Sequence, residues 1–584
     1  MNLPETKWSK YYSEAIKEYD ENRTLYQVIK DSCDAWGDRV ALEYGIPKIT
    51  YSQLYQMIEA TAKSLVKLGV KKGDVITVTH NGLPATVALI YAASKIGAIV
   101  SLVNNAHSVK EIEEYIWRTK SLFLFVSGTK LAEAKKLFTH TDKTITVVTS
   151  RVRDYSVFWH RLGIYSRYFV DDIKSGFLRG MPDNVKVYNW KKFMSLGNEI
   201  TEEVLVETDY NAPAVLFNYG VAGGSPNMVE FSSRAINQKV QSLSYVGRSI
   251  YKNKDQIRVM SCIKMSFPMG LALSLHAVLA TGNVVTLYPN AGKASPDVEF
   301  FKYKPDVIIG YNSVWNELMD SPALDNADLS FLKAAISGGE LMTGVLYNEF
   351  SSFLKDRKSN ALIYRLYGIT ESLSAVCGTS QDMDNDRLIG IPFPGVIMKI
   401  MDRETGHELP IGSKGEIAIS YNGIMSGYYR DPIMTSEVIK HFQDGRTWLF
   451  TGDLGKENER GEFIFEGHLR RVVQIQGTYV YPEMVENEIL NIYGVENCCV
   501  VPVNNQGVTS LTAIVVPIPE LISDNDRLEE LTKVINDYCS QIFYSNMCPT
   551  NIEFRVYMPK TLLGVNDYEE LERQLNSRFE EISE

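Results

Sequence analysis

The chain has 584 residues, which is too long for a single hydrophobic core and predicts several subdomains. Its net charge of -11 at pH 7 argues against a general nucleic-acid-binding function. The 45% hydrophobic and 22% charged residues are typical of an ordinary soluble globular protein.

Cysteine usage and the N-terminus point to a reducing compartment. The seven cysteines include no Cys-x-x-Cys pair, so neither a disulfide framework nor a zinc site is predicted. The first residues are polar and contain no apolar signal-peptide segment, and no apolar run reaches the roughly 18 residues of a transmembrane helix. We therefore expect a cytoplasmic protein without a membrane-spanning segment.

Short β-branched runs alternate with helical patterns through residues 54–126. This alternation predicts an α/β fold with parallel sheets. The predicted elements, in order, are a helix over 54–68, the strand Val75–Val78, a helix over 83–96, a strand over 98–102, a helix over 111–120 and a strand over 122–126.

Residues 150–192 interrupt this alternation with many aromatic and basic side chains. One interpretation is a peripheral contact with an acidic membrane surface, because positive charge and aromatic rings both favour that interface. The other is a surface insertion that packs on its own domain. The irregular spacing and the interruption by Pro182 favour the second interpretation.

A glycine-rich stretch follows the predicted strand that begins at Val215. It reads Asn-Tyr-Gly-Val-Ala-Gly-Gly and contains Gly220, Gly223 and Gly224. Backbone N–H groups of such a loop can bind a phosphate, so these three glycines are candidate nucleotide-binding residues. A flexible turn that binds nothing is the alternative.

Two more motifs occupy predicted strand ends. Gly338, Gly339 and Glu340 follow a predicted strand at 334–337, and a glycine pair at a strand end lets a ligand approach the backbone edge-on. The second motif, Tyr-Gly-Ile-Thr-Glu, begins at Tyr367. Ligands of open α/β sheets lie at the carboxyl ends of strands, so we expect both motifs at one site.

The Tyr-Gly-Ile-Thr-Glu motif combines four groups that suit a nucleotide. Tyr367 offers a ring for stacking on a base, and Gly368 allows close approach of the backbone. Thr370 offers a hydroxyl for a phosphate oxygen, and Glu371 offers a carboxylate for Mg²⁺. The alternative for an isolated match is a strand end followed by a turn.

The chain beyond residue 390 predicts two smaller parts. Short strands and turns over 390–432 indicate a small β-rich subdomain, which ends in Thr-Gly-Asp at Asp453. A hairpin strand at 461–465 precedes the charged segment 467–471, which is typical of a linker. A small α+β domain is predicted from strands at 472–474, 498–503, 511–516 and 554–558 and helices at 482–493 and 528–540.

In this order the glycine-rich loop, Gly-Gly-Glu, Tyr-Gly-Ile-Thr-Glu, Thr-Gly-Asp and small C-terminal domain resemble the adenylate-forming superfamily. That superfamily contains acyl-CoA synthetases, peptide synthetase adenylation domains and luciferases. The similarity runs from about Thr50 to about Asp567. It implies an N-terminal domain over 1–466, built from two stacked mixed α/β subdomains and a small β-rich subdomain. It also implies a hinge at 467–471 and a small mobile α+β domain over 472–584.

The resemblance implies a reaction in two halves. A carboxylate attacks the α-phosphate of Mg²⁺-bound ATP, which gives an acyl-adenylate and pyrophosphate. The small domain then rotates, and a thiol takes the acyl group. The implied ligands are ATP or AMP, Mg²⁺ and a small carboxylic acid. The thiol would belong to CoA or to the phosphopantetheine of an acyl- or peptidyl-carrier protein.

The nucleoside half of the family's site is kept in this sequence. Residues 338–340 match the segment that lies along adenine, and Tyr367 matches the ring that stacks on it. Thr370 matches the hydroxyl that contacts phosphate, and Glu371 matches the Mg²⁺ carboxylate. Asp453 matches the carboxylate that accepts from both ribose hydroxyls, since an acceptor-only group suits a diol.

Three cations of the family's triphosphate half are replaced. Asn227 stands in place of the loop lysine, His468 in place of the hinge arginine and Val565 in place of the C-terminal lysine. A histidine is mostly neutral at pH 7, and each lost transition-state contact typically costs on the order of 10²–10³ in rate. Nearby cations are candidate substitutes, namely Lys560, Arg470 and Arg471.

The expected catalytic set is therefore Thr370, Glu371, His468 and Lys560. One hypothesis is an AMP-forming carboxylate-activating ligase with altered catalysis. The alternative is a non-catalytic relative that keeps AMP or ATP binding, or only the fold, and acts as a scaffold or partner subunit. A third, weaker hypothesis is a protein that completes only the thiol-transfer half. Fold alone does not decide among them.

Overall fold

The structure is a computed structural model of the chain. It describes residues 19–44, 48–80, 82–105, 107–127, 143–151, 154, 183–204, 206–219, 227–250, 255–287, 302–379, 387–442, 444–471, 473–475, 478–505, 508–522, 524–560 and 566–580. Two compact units divide the chain, the first made of residues 1–398 and 419–449 and the second of residues 399–418 and 450–584. No helix among the described residues is long and apolar enough to cross a membrane.

One sheet of the first unit is parallel at its centre and antiparallel towards its ends. Ala334–Gly338 pairs in parallel with both Val307–Gly310 and Leu362–Tyr367, whereas Cys377–Thr379 joins antiparallel. The parallel centre confirms the predicted α/β class. In spatial order the strands are Lys48–Thr50, Val40–Glu43, Val284–Thr286, Arg258–Ser261, Val307–Gly310, Ala334–Gly338, Leu362–Tyr367, Cys377–Thr379 and Leu388–Pro392.

The other sheet of the first unit contains the strands predicted near the N-terminus. Val75–Val78 pairs in parallel with Ile99–Leu102 on one side and with Phe123–Ser127 on the other, so the strand order reverses there. Such a reversal is a feature of doubly wound α/β sheets. In spatial order the strands are Gly427–Tyr428, Asn227–Ser232, Pro213–Tyr219, Ile99–Leu102, Val75–Val78, Phe123–Ser127, Ile145–Ser150 and Val185–Asn189.

Helix ends in the first unit follow the local capping chemistry. Thr24, Thr50 and Ser108 each cap the start of a helix with a capping box. The side chain of the capping residue accepts from the backbone N–H three residues later, and the side chain of that later residue accepts from the backbone N–H of the capping residue. Pro84 opens another helix, and Gly97 ends it with φ 71°. The α-helices are Leu25–Ala35, Tyr51–Lys67, Pro84–Ile96, Val109–Thr119, Trp190–Leu196, Ser233–Asn237, Lys239–Ile250, Ala277–Leu279, Asn312–Met319, Gly344–Asp356 and Pro432–Val438.

One apolar helix of the first unit has a wider first part. Met269–His276 forms a π-helix that continues into Ala277–Leu279. A Cβ on Gly270 would lie 2.1 Å from the carbonyl oxygen of Lys264, so only glycine fits where this helix begins. π-turns within helices occur frequently at functional sites.

The second unit combines antiparallel strands with helices, as predicted for its C-terminal part. Val508–Pro517 pairs antiparallel with Val495–Asn505 and in parallel with Asn551–Phe554. The last strand of this sheet is therefore Asn551–Phe554, whereas the sequence predicted it over 554–558. It ends at the residue where the prediction began, because residues 551–554 are the ones that pair with the neighbouring strand. The strands Ile397–Met401, Gly415–Ser420 and Thr447–Glu457 lie only partly in this unit. Its other described strands are Phe463–His468, Val473–Ile475 and Thr478–Val480, and its described α-helices are Pro482–Leu490, Asn525–Ile542 and Tyr568–Glu580.

A β-rich part after residue 390 is confirmed, but the segment at Gly427 does not belong to it. Gly427 pairs with Glu230, and Tyr428 pairs with Val229. This short strand therefore extends the sheet that contains Asn227–Ser232. The position of this strand depends on backbone pairing with a segment that is distant in sequence. The local turn pattern could not indicate that pairing.

The segment interpreted as a linker is anchored inside the second unit at its last residue. Arg471 donates to Glu483 at 3.0 Å and to Glu486 at 2.6 Å, and its side chain is only 10% exposed. Its guanidinium also lies 3.5 Å from the centre of the Tyr568 ring. This arrangement is a buried ion-pair cluster. The hinge at 467–471 and the domain limits beside it stay predictions.

Candidate active site

Two neighbouring strand ends carry the candidate nucleotide residues of the first unit. Ala334–Gly338 and Leu362–Tyr367 run in parallel, with Gly338 opposite Leu366. Residues 338–340 and the Tyr-Gly-Ile-Thr-Glu motif therefore leave the sheet at the same edge, where open α/β sheets bind ligands. The structure thus brings together the two motifs that the sequence placed at one site.

The second residue of the glycine pair, Gly339, lies against an aromatic ring. Gly339 has φ 91°, and a Cβ there would lie 2.8 Å from the Tyr311 ring. Only glycine adopts this conformation readily. Glu340 Oε1 accepts from the backbone N–H of Asn312 at 2.8 Å, which fixes the carboxylate next to the pair.

The Tyr-Gly-Ile-Thr-Glu motif ends in a tight and strained turn. After Tyr367 ends its strand, residues Thr370–Ser372 form a 3₁₀ turn. A Cβ on Gly368 would lie 2.0 Å from the carbonyl oxygen of Ser374, so glycine is required. Leu373 and Ser374 have φ 50° and 77°, a left-handed region that such residues rarely adopt. The turn holds its hydroxyl and carboxylate half-buried.

The carboxylate of Glu371 is oriented by a tyrosine. Tyr428 Oη donates to Glu371 Oε1 at 2.7 Å. A carboxylate has about four acceptor positions, so this hydrogen bond is compatible with metal binding. Mg²⁺ is commonly bound by one or two carboxylates together with substrate phosphates. Among the described residues, no group of three His, Cys, Asp or Glu side chains could hold a metal ion.

In the second unit, Asp453 and His468 are direct partners. Asp453 is buried and lies opposite His468 on the neighbouring strand. His468 Nδ1 is hydrogen-bonded to Asp453 Oδ1. The backbone N–H of His468 donates to Glu483 Oε2 at 2.7 Å, and His468 Nε2 lies 3.7 Å from Glu483 Oε1. The candidate ribose carboxylate is therefore held by the residue that replaces the hinge arginine.

The carboxylates around His468 raise the pKa of its side chain. Burial alone lowers the pKa of His468, but the hydrogen bond and charge of Asp453 and the charge of Glu483 together outweigh burial and raise that pKa above its ordinary value. The charge of Arg470 opposes the rise. The site therefore favours the imidazolium form of His468 more than water does.

Comparison with known proteins identifies the family. Residues 29–429 match the family described as AMP-binding enzyme. The chain belongs to this family. One relative is "Probable 4-coumarate–CoA ligase 1" of Dictyostelium discoideum, 26% identical over 514 residues, which cover 86% of this chain and 87% of the relative. Another is a long-chain-fatty-acid–CoA ligase of Bacillus subtilis, 23% identical over 555 residues, which cover 93% of each protein.

Solved structures share the fold of this AMP-binding family member. An anthranilate CoA ligase, AuaEII, in complex with anthranoyl-AMP matches with a TM-score of 0.77 and 18% identity, covering 96% of this chain and 98% of the other. ATP-bound MatB from Rhodopseudomonas palustris matches with a TM-score of 0.75 and 19% identity, covering 96% and 100%. The fold class and the family indicated by the motifs are thereby confirmed. The comparisons do not speak for the non-catalytic alternative.

The three cations proposed as substitutes in the AMP-binding site differ in their surroundings. Arg471 is engaged by two glutamates and is mostly buried, so it is not a candidate for binding a phosphate. Arg470 is exposed. Lys560 is exposed as well, and its Nζ donates to Asn566 Oδ1 at 2.6 Å. Arg470 and Lys560 remain candidate cations for the triphosphate half.

The stretch that resembles the family's phosphate loop is residues 218–228, and its middle part, 220–226, lies outside the described residues, as do residues 561–565. The roles of Gly220, Gly223 and Gly224 therefore stay predictions. The strands on either side, Pro213–Tyr219 and Asn227–Ser232, pair antiparallel, so the loop joins two neighbouring strands of one sheet.

The interaction of His468 with its carboxylates predicts a pH-dependent stability. Because the pKa of His468 is raised in the folded state, this stabilisation is fully present below the unfolded pKa of about 6.5 and is lost as the pH rises through the higher folded pKa. His468→Asn keeps an N–H donor but cannot become charged. We expect it to be less stable than the wild type at about pH 6, by less than about 1 kcal/mol for this partly exposed side chain. The difference should shrink towards about pH 9 in urea unfolding, and an equal difference at both pH values would contradict this.

Sequence reasoning missed three residues around the turn: Tyr428, Tyr421 and Lys239. A signal existed for Lys239 alone, since it falls between Ile236 and Leu243 on the face that a helical period would bury. The tyrosines follow the turn by some fifty residues in sequence, so local pattern could not connect them with it.

Proposed function

We propose that this member of the AMP-binding family is an AMP-forming acid–CoA ligase. It would activate a carboxylic acid with ATP and pass the acyl group to the thiol of CoA. The observation that carries the proposal is the convergence of Gly-Gly-Glu and Tyr-Gly-Ile-Thr-Glu at one sheet edge, with Glu371 oriented by Tyr428. The names of the relatives, which are CoA ligases, support CoA as the acceptor.

In the first half-reaction, Tyr367 stacks on adenine, and the Thr370 hydroxyl donates to a phosphate oxygen of ATP. Mg²⁺, held by Glu371 and the phosphates, would neutralise charge on the phosphate oxygens. A carboxylate oxygen of the acid attacks the α-phosphorus, and the bond to pyrophosphate breaks with the electron pair leaving on pyrophosphate. The product is an acyl-adenylate.

In the second half-reaction, the thiolate of CoA attacks the acyl carbonyl carbon, and AMP leaves with the bridging oxygen. Asp453 would hold the ribose hydroxyls, with His468 in hydrogen-bond contact. We place the flexible point of the hinge at Leu469 and Arg470, because Arg471 is anchored by its glutamates.

We infer an acid with an apolar chain or ring. Met269 lies against Gly338, where a Cβ would be 3.0 Å from its sulfur, and Phe267 is two residues before it. The relatives are named for 4-coumarate and for long-chain fatty acids, which both carry an apolar part. These observations favour aromatic and aliphatic acids over amino acids.

ATP–pyrophosphate exchange with a panel of carboxylic acids tests the proposal. We expect exchange that depends on an aromatic or long-chain acid, and a CoA thioester in mass spectrometry when CoA is added. Exchange without a CoA thioester would point to a carrier protein as the acceptor. No exchange with any acid, while AMP still binds in calorimetry, would contradict the ligase in favour of a non-catalytic nucleotide-binding protein.

A further inference from the structure

We propose that Lys239 and Tyr421 are positioning residues that hold the turn carrying Thr370 and Glu371. The inference rests on the proposed function, in which this turn contacts the phosphates and metal of MgATP. Neither residue touches the nucleotide in this proposal. They act on the backbone directly after the two functional side chains.

The turn needs support from outside because its own backbone is strained. Leu373 and Ser374 are consecutive non-glycine residues at positive φ, 50° and 77°. Such conformations persist only where surrounding structure over-determines them, and they cluster at functional sites. Within the turn, Ser372 Oγ donates to the carbonyl oxygen of Ser374 at 2.8 Å and accepts from the backbone N–H of Ile369 at 3.0 Å.

Tyr421 binds the turn from one side. Its Oη donates to the carbonyl oxygen of Ser372 at 2.5 Å. Its ring is confined, since a Cβ on Gly423 would lie 2.3 Å from a ring carbon. A confined ring with one hydrogen bond to the backbone is a rigid support for the residue that follows Glu371.

Lys239 binds the backbone at the end of the turn. It is 1% exposed, its Nζ donates to the carbonyl oxygen of Ala375 at 2.6 Å, and it lies 4.9 Å from the centre of the Tyr421 ring. Burial lowers the pKa of Lys239, but a lysine amine can donate a hydrogen bond in either protonation state. In the described part of the chain no carboxylate forms an ion pair with it. Lysine is rarely fully buried without such a pair, so its position calls for a specific role.

These contacts join three chain segments at the site. Lys239 begins the helix Lys239–Ile250, which the short helix Ser233–Asn237 joins to the strand Asn227–Ser232 after the glycine-rich stretch. That strand pairs with Gly427–Tyr428, whose tyrosine binds Glu371. The hydrogen bonds of Lys239 and Tyr421 therefore connect the segment after the loop with the turn that carries Thr370 and Glu371. In a site that lacks three family cations, we infer that accurate placement of these two side chains matters more.

The test uses Lys239→Met and Tyr421→Phe, which each remove the hydrogen-bond donor and keep a similar shape. The matched control is Tyr51→Phe, because Tyr51 is fully buried and its Oη donates to the carbonyl oxygens of Leu279 and Asn283 at 3.0 and 2.8 Å. It is distant in sequence from the turn. Isothermal calorimetry then measures binding of MgATP and of adenosine, which has no phosphate.

We expect both turn variants to bind MgATP about tenfold more weakly, and to need more Mg²⁺ for half-maximal binding, with adenosine affinity changed less than about twofold. The control should bind MgATP like the wild type. Equal MgATP affinity of the variants and the wild type would overturn the inference. An equal loss in the control, an equal loss for adenosine, or no MgATP binding by the wild type would also overturn it. If MgATP binding changes as expected but no acid supports exchange, the inference stands and the ligase proposal fails.

Discussion

Replacing Glu371 with glutamine is expected to lower carboxylate-dependent ATP–pyrophosphate exchange by on the order of 10²–10³, because a charge that acts on the transition state is removed. Glutamine has nearly the same shape and still accepts the hydrogen bond of Tyr428, which measures 2.7 Å in the wild type. The loss should therefore appear mainly in turnover and Mg²⁺ dependence. Initial exchange rates at saturating acid measure it.

The matched control for this variant is Glu349→Gln. Glu349 is an exposed carboxylate on the helix Gly344–Asp356 of the same unit. A change of an isolated surface charge alters stability and activity little. Equal exchange rates in Glu371→Gln and the wild type, under conditions where the control is also unchanged, would remove Glu371 from the proposed metal site.

Replacing Arg471 with methionine should give the largest loss of stability. Its side chain is 10% exposed, and Glu486 and Glu483 are 6% and 12% exposed, so the change leaves two carboxylates mostly buried without their cation. Breaking a buried ion pair in this way costs about 3–5 kcal/mol. Burial already raises the pKa of Glu486, although Arg471 opposes that rise. A raised folded pKa makes the carboxylate destabilising as pH increases, so the Arg471→Met variant should lose further stability between acidic and neutral pH.

Arg573→Met provides the comparison for that measurement. Arg573 is 70% exposed and pairs with Glu570 one helical turn away, an arrangement that solvent screens and that contributes little to stability. None of the seven tryptophans lies in the second unit, so amide hydrogen exchange in the strand Val495–Asn505 is the suitable probe. Similar exchange in both variants would show that the Arg471 cluster does not stabilise this unit.

Local sequence signals predicted most of the elements around the site. The helix predicted over 54–68 forms as Tyr51–Lys67, and the helix predicted over 111–120 forms as Val109–Thr119, because apolar residues recur there at helical spacing. The strand end at the glycine pair was also predictable, because glycine weakens a strand and marks places of close backbone approach, and the strand Ala334–Gly338 ends there. These features depend on residues close in sequence, which is why pattern reasoning found them.

The side chains of the candidate site are held by contacts between residues that are distant in sequence, and a local sequence pattern cannot predict such contacts. Tyr428 reaches Glu371 only because its segment joins the strand Asn227–Ser232. Arg471 looks like part of a charged linker until its two glutamates are placed around it. The raised pKa of His468 likewise depends on Asp453, which lies on a paired strand and is distant from His468 in sequence.

Oxygen-isotope transfer tests the central claim most directly. The preferred acid is labelled with heavy oxygen in its carboxylate and incubated with MgATP and CoA, and the AMP is examined by mass spectrometry. If the carboxylate attacks the α-phosphate and CoA then attacks the acyl carbon, one labelled oxygen should appear in each AMP formed with acyl-CoA. AMP without label, or acyl-CoA formed without AMP, would contradict adenylate formation by this chain.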